Sequence, residues 1–106
     1  MVGHIYYINM PYSSFTKSKG RPVLVYQKID HNDFLVLPLT SNLQRDGITI
    51  TNDDIQDGVL KKESVLIVPK LTAVDSSLIS GEKFIASLKK ESFSKVRKTL
   101  CQKLQC

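Results

Sequence analysis

Apolar residues in this chain arrive in bursts no longer than a β-strand, each closed by proline, glycine or an Asn/Asp/Ser cluster, until about residue 90. There the spacing changes from alternation to steps of three and four, and that switch constrains the fold more than any single motif. His4–Met10 is β-rich and is stopped by Pro11, and a polar loop over 12–20 follows it. Residues 22–27 are apolar, as a central strand covered on both faces requires. A turn at His31-Asn32-Asp33 makes 34–40 its hairpin partner. Residues 47–51 alternate like a half-exposed strand, Asn52-Asp53-Asp54 offers a turn or a helix cap, and 63–68 reads as the next buried strand. Asp75 caps a single helical turn that ends at Gly81, and 83–88 is a last short strand. From Lys90 onward, Phe93, Val96, Leu100 and Leu104 predict an amphipathic C-terminal helix. Five or six short strands and one terminal helix predict a mainly β fold. The sheet is small and strongly bent, a half-open barrel with the α-helix over one end or face. At 106 residues with 42% apolar content, the chain suits one domain spanning 1–106.

The charge is unevenly placed. Residues 1–88 carry nine Lys/Arg and nine Asp/Glu, whereas 89–106 carry six bases against Glu91, so the tail holds the whole net +5. Residues 1–29 contain Lys17, Lys19, Arg21 and Lys28 and no acid, while 30–57 contain six aspartates against Arg45. Basic clusters of this kind attract phosphates or an acidic partner, or simply form a solvated face. No apolar run approaches the roughly 20 residues of a membrane-spanning helix. The N-terminus lacks a basic segment followed by a long apolar one, so no secretory signal is visible and a cytoplasmic location is expected. Cys101 and Cys106 fall about 140° apart on a continued helix, which predicts unpaired thiols.

Several chemistries are missing from the pattern. His4 and His31 sit apart from any spaced carboxylates or thiols, so no metal site is expected, and no cofactor. There is no glycine-rich phosphate loop and no nucleophile elbow. What remains is polar residues at strand ends. Arg21 stands between Gly20 and Pro22 at the mouth of a buried strand, where a guanidinium fork suits a phosphate. Thr40-Ser41 ends the neighbouring strand. If the two strands pair about the Asp30–Asp33 turn, Arg21 and the two hydroxyls share one end of the ladder, beside a lysine-bearing loop. The same pattern also fits a solvated strand-start arginine and an ordinary turn threonine.

The segments Gly3-His4-Ile5-Tyr6-Tyr7, Lys19-Gly20-Arg21-Pro22-Val23-Leu24-Val25 and Leu37-Pro38-Leu39-Thr40-Ser41-Asn42 resemble, in order and spacing, the PemK/MazF family of toxin ribonucleases. Residues 60–65 and 70–75 resemble its later strand and turn. The resemblance implies a small SH3-like barrel with a C-terminal helix, a homodimer, and a partner antitoxin. It implies metal-independent cleavage of single-stranded RNA by 2′-OH attack, giving a 2′,3′-cyclic phosphate and a 5′-OH. By motif position Arg21 and Thr40 match the family's catalytic arginine and phosphate-binding hydroxyl. Ser41, Lys17 and Lys19 would then bind RNA. His4 stands where many relatives carry aspartate, and an imidazole there can serve as general base. Ile67 and Pro69 stand where many relatives carry arginine and an acid. Two other readings stay open on the sequence: a binding module of the same fold that has lost its chemistry, and a toxin acting on a protein target such as a topoisomerase.

Overall fold

Val23, Leu24 and Val25 are each wholly buried, and the place of their strand explains why. In the computed structural model, which describes residues 2–10, 19–68 and 70–105 (the side chains of Met10 and Lys19 excepted), strand β2 (Lys19–Lys28) lies between two antiparallel neighbours. These are β1 (His4–Met10) and β3 (Asp33–Thr40). Both faces of this three-stranded centre are covered. On one face Leu24 and Leu37 join Ile5, Leu39, Leu66 and Ala86 in the larger core cluster. On the other, Val23, Val25 and Val36 join Tyr6, Ile8, Phe34, Val74 and Ile79 in a smaller one. A continuous apolar run is what such a position demands.

The remaining strands are β4 (Ile48–Ile50), β5 (Ile55–Gly58), β6 (Ser64–Leu66), β7 (Thr72–Asp75) and β8 (Phe84–Leu88). Their order across the sheet is β4-β6-β3-β2-β1-β8-β5, with β7 added beside β3. Eight strands are therefore present among the described residues, where the sequence pattern predicts five or six. The additions, β5 and β7, are short and largely exposed. β3 divides its outer edge between two partners. Asp33–Val36 pair with β7, and Leu39-Thr40 pair with β6. The change of partner falls around Pro38, which has no N–H to give, while its carbonyl accepts the Ile67 N–H at 2.9 Å.

The C-terminal helix α1 (Lys90–Leu104) lays Val96 and Leu100 into the larger cluster, with Phe93 packed beside them. Lys90, Lys95, Arg97, Lys98 and Lys103 are exposed, so the basic tail is the helix's solvated side. Lys89, at the N-cap, makes no side-chain cap. Asp54, in a 3₁₀ turn over Asn52–Asp54, ties the start of the helix to that turn: its carboxylate accepts the Ser92 hydroxyl at 2.8 Å and the Thr51 N–H at 3.0 Å, and its carbonyl accepts the Lys89 N–H at 2.9 Å. A carboxylate at the positive end of a helix is favourably placed.

One expectation is corrected here. Cys101 is disulfide-bonded rather than a thiol. The helical offset between the cysteines assumed that the helix continues to the end of the chain. Instead α1 stops at Leu104 and Gln105 turns into the left-handed region (φ 58°, ψ 41°), so that offset no longer applies. Cys106 lies outside the described residues, as do Pro69 and the segment 11–18. No helix among the described residues is long and apolar enough to cross a membrane.

Candidate active site

The β2–β3 ladder ends at the pair Val23↔Pro38. Beyond it β2 continues alongside β1, pairing Arg21 with Ile8, while β3 moves to β6, pairing Thr40 with Val65. Arg21 lies two residues outside Val23, and Thr40 two residues outside Pro38. Residues two apart share a face, and cross-strand partners share one too. Arg21 and Thr40 thus belong to the same face, that of the smaller cluster, on either side of the point where the strands diverge. Carried one step further, the register would set them opposite each other.

Both side chains are partly buried and Ser41 is exposed. The Thr40 hydroxyl oxygen accepts the Asn42 N–H at 3.2 Å, which fixes its lone pair and leaves its own O–H as a donor. The Asn42 side chain accepts the Gln44 N–H at 3.0 Å, and its carbonyl accepts the Arg45 N–H at 3.1 Å. These local bonds stiffen the chain as it leaves the sheet. On the β2 side, Gly20 is required by its neighbour. A side-chain carbon at that position would run into the Tyr7 ring, so the phenol lies directly over the backbone that precedes Arg21.

His4 is not brought to this place. It begins β1, four residues before Ile8, which at the usual rise of a strand is about 13 Å from the Arg21 pair. Its ring packs edge-on against Phe84 at 5.4 Å and tilted against Tyr6 at 6.3 Å. Burial, more than any other influence, lowers the His4 pKa from its ordinary value, and Asp57 offsets part of the effect. Lys17 lies outside the described residues, and of Lys19 only the backbone is described, paired with Met10 at the end of β2. Ile67 is buried at 6% exposure with its N–H given to Pro38, so it has no contact to offer a phosphate. Among the described residues no group of three or more His, Cys, Asp or Glu gathers as a metal site would need.

On the opposite face the same divergence opens a groove of about 660 Å³. Tyr7 and Pro22, a register pair, line one side, and Leu39 and Ser41 line the other, with Leu60 and Ile85 between. Tyr7, Val59 and Phe84, three of the exposed large apolar residues, border it. So do Lys61, Lys62 and Lys83, with Glu82. Nothing in the sequence pattern singles these residues out. The one available signal is that Tyr7 lies on the same strand face as buried Ile5 yet falls beyond the end of the core.

A model of the PemK-like, MazF-like toxins of type II toxin–antitoxin systems matches residues 1–104. The chain belongs to this family. Among solved structures it is similar to MazF (Form-I) from Deinococcus radiodurans, with a TM-score of 0.70 at 19% identity over 99% of this chain and 96% of that one. At that identity the likeness concerns the fold, and it agrees with the mainly β, curled half-barrel and terminal helix expected from the sequence. No curated protein matches.

Proposed function

We propose that the protein is the toxin of a type II toxin–antitoxin pair and a metal-independent endoribonuclease for single-stranded RNA, acting in the cytoplasm as a homodimer under control of an antitoxin protein. The observation that carries the reading is the common face and common ladder end of Arg21 and Thr40, in a chain of the PemK/MazF-like family. In the reaction the ribose 2′-oxygen forms a bond to the adjacent phosphorus while the bond from phosphorus to the 5′-oxygen breaks. The 2′-OH gives up its proton and the departing 5′-oxygen gains one. Negative charge builds on the non-bridging phosphoryl oxygens. Arg21 supplies a planar pair of charged donors to them, and Thr40, with its oxygen already engaged by Asn42, supplies a hydroxyl proton. Ser41 and the lysines at 17 and 19 guide the strand. No base role is assigned to His4, which stands too far along β1 to share a proton with this phosphate.

The test is cleavage of a long RNA in EDTA by purified protein, with the new ends identified. Cyclic phosphate and 5′-OH ends are expected. Arg21→Ala should lose about a hundred- to a thousandfold in rate, the usual worth of one such donor, with an unchanged circular dichroism spectrum. Unaltered cleavage by that variant removes Arg21 from the mechanism. Intact RNA with wild-type protein would make the chain a binding member of its family.

A further inference from the structure

We infer that the cleft between the chain's first residues and the start of α1 is a second phosphate site, which takes the phosphate group of a nucleotide or of a polynucleotide backbone. It lies apart from Arg21 and Thr40, and it holds whether or not the protein cuts RNA. Gly3, which lines it, stands five residues before Ile8, about 16 Å along β1 from the Arg21 pair. The helix also covers the face of the sheet that carries the larger cluster, opposite the face of Arg21 and Thr40.

Residues 89–106 hold the whole net charge of the chain, and the site at Arg21 and Thr40 uses none of it. Part of that charge converges on one cleft of about 310 Å³, lined by Lys90, Ser94 and Arg97 together with Gly3, Leu88 and Phe93. Positions 90, 94 and 97 follow steps of four and three, so the two cations and the hydroxyl share one helix face. Among the described residues, none of these three side chains gives a hydrogen bond or an ion pair to a protein acceptor. Arg97 is nevertheless held in place. Its guanidinium carbon stands 5.2 Å from the centre of the Phe93 ring, which packs in turn against Tyr26 at 5.7 Å. Such a contact orients the guanidinium plane and leaves its edge donors open to grip phosphate oxygens as a fork. No carboxylate lines the cleft. Glu91, the one acid of the helix, is about 100° round the axis from Lys90. Asp54 is bonded to Ser92, about 160° round from Ser94. The Gly3 backbone is already engaged, its N–H with the Val25 carbonyl at 2.8 Å and its carbonyl with the Leu88 N–H at 2.9 Å, so recognition falls to the side chains. A protein partner suits the place poorly. From 90 to 98 every exposed residue of α1 is polar, whereas the centre of a protein interface is depleted of charge and of lysine above all. Phosphate oxygens need only the charge and the donors that are present.

The experiment follows backbone amide shifts of the full chain by NMR as inorganic phosphate, 5′-AMP or a short oligodeoxythymidine is added. The oligonucleotide lacks a 2′-OH and so cannot be cut by 2′-OH attack. Saturable shifts at Gly3, Leu88, Ser94 and Arg97 are expected in wild type, and equally in Arg21→Ala. Lys90→Gln and Arg97→Gln should each weaken binding about tenfold, the lower end of what a hydrogen bond to a charged group is worth, with an unchanged circular dichroism spectrum. Arg97→Lys, which keeps the charge and loses the fork, should recover only part of the affinity. Shifts with phosphate and 5′-AMP support the inference and make the source a free ligand. Shifts with the oligonucleotide alone support it and make the source a polynucleotide backbone. No saturable shift with any of these probes overturns it, as does binding that both glutamine variants retain. A glutamate-rich peptide that moves these amides where the phosphate probes do not assigns the cleft to an acidic protein, and overturns it too.

Discussion

At the scale of single residues, the outcome turns on neighbours that spacing cannot display. Arg21 and Thr40 were legible because a proline follows one and precedes the other by two residues, marking where buried strands begin and end. Gly20 reads in sequence as a loop's end, and only the approach of Tyr7 shows that it must lack a side chain. Gly20→Ala should therefore push the Tyr7 ring aside and slow RNA cleavage at least tenfold, measured alongside Tyr7→Leu to show that the two changes are not additive. His4, the candidate base on the sequence, also bears on stability. Its folded pKa lies below the ordinary value of 6.5, so the folded state favours the neutral ring. Stability is then complete above that value and falls as the pH drops through the lowered one. Urea midpoints should decrease between pH 8 and pH 5, and His4→Gln should show a shallower decrease.

Elements were legible in proportion to their apolar content. β1, β2, β3, β8 and α1 stand where the pattern puts them, and Asp75 caps a helical turn as expected, though that turn ends at Leu78 and Gly81 opens a separate one. β5 and β7 did not show, since Ile55 and Val74 are each the single buried residue of a four-residue strand, and one apolar position has no period. What holds them is pairing: β5 with β8, and β7 with the first half of β3. The start of α1 at Lys90 follows the pattern, but what holds it there does not show in its own segment. It is tied down by Asp54, distant in sequence from Ser92 and Lys89. Asp54→Ala removes acceptors from two elements together. It should lower unfolding free energy by about 1–3 kcal/mol, the worth of hydrogen bonds to a charged group, read by urea titration.

For the molecule as a whole, the sheet and the helix complete one core. Leu100 is 2% exposed and packs with Leu24, Leu37 and Ile5 from the central strands. Leu100→Ala should cost about 2–5 kcal/mol in a single cooperative transition, with the helix and sheet signals lost at the same midpoint; separate midpoints would show that the helix is only an appendage. Overall architecture was the most readable level, because burial on two faces and a terminal amphipathic stripe leave few alternatives for a chain of this length. The groove was the least readable, since it is made by strands leaving one another rather than by any residue pattern.

β3 lends its edge to β7 and then to β6, and Thr40 is the last residue of the loan. Whatever settles on that threonine therefore leans on both parts of the sheet through one strand. An occupant there should slow amide hydrogen exchange together at Leu66 and at Val74, one on each of the two strands that borrow this edge.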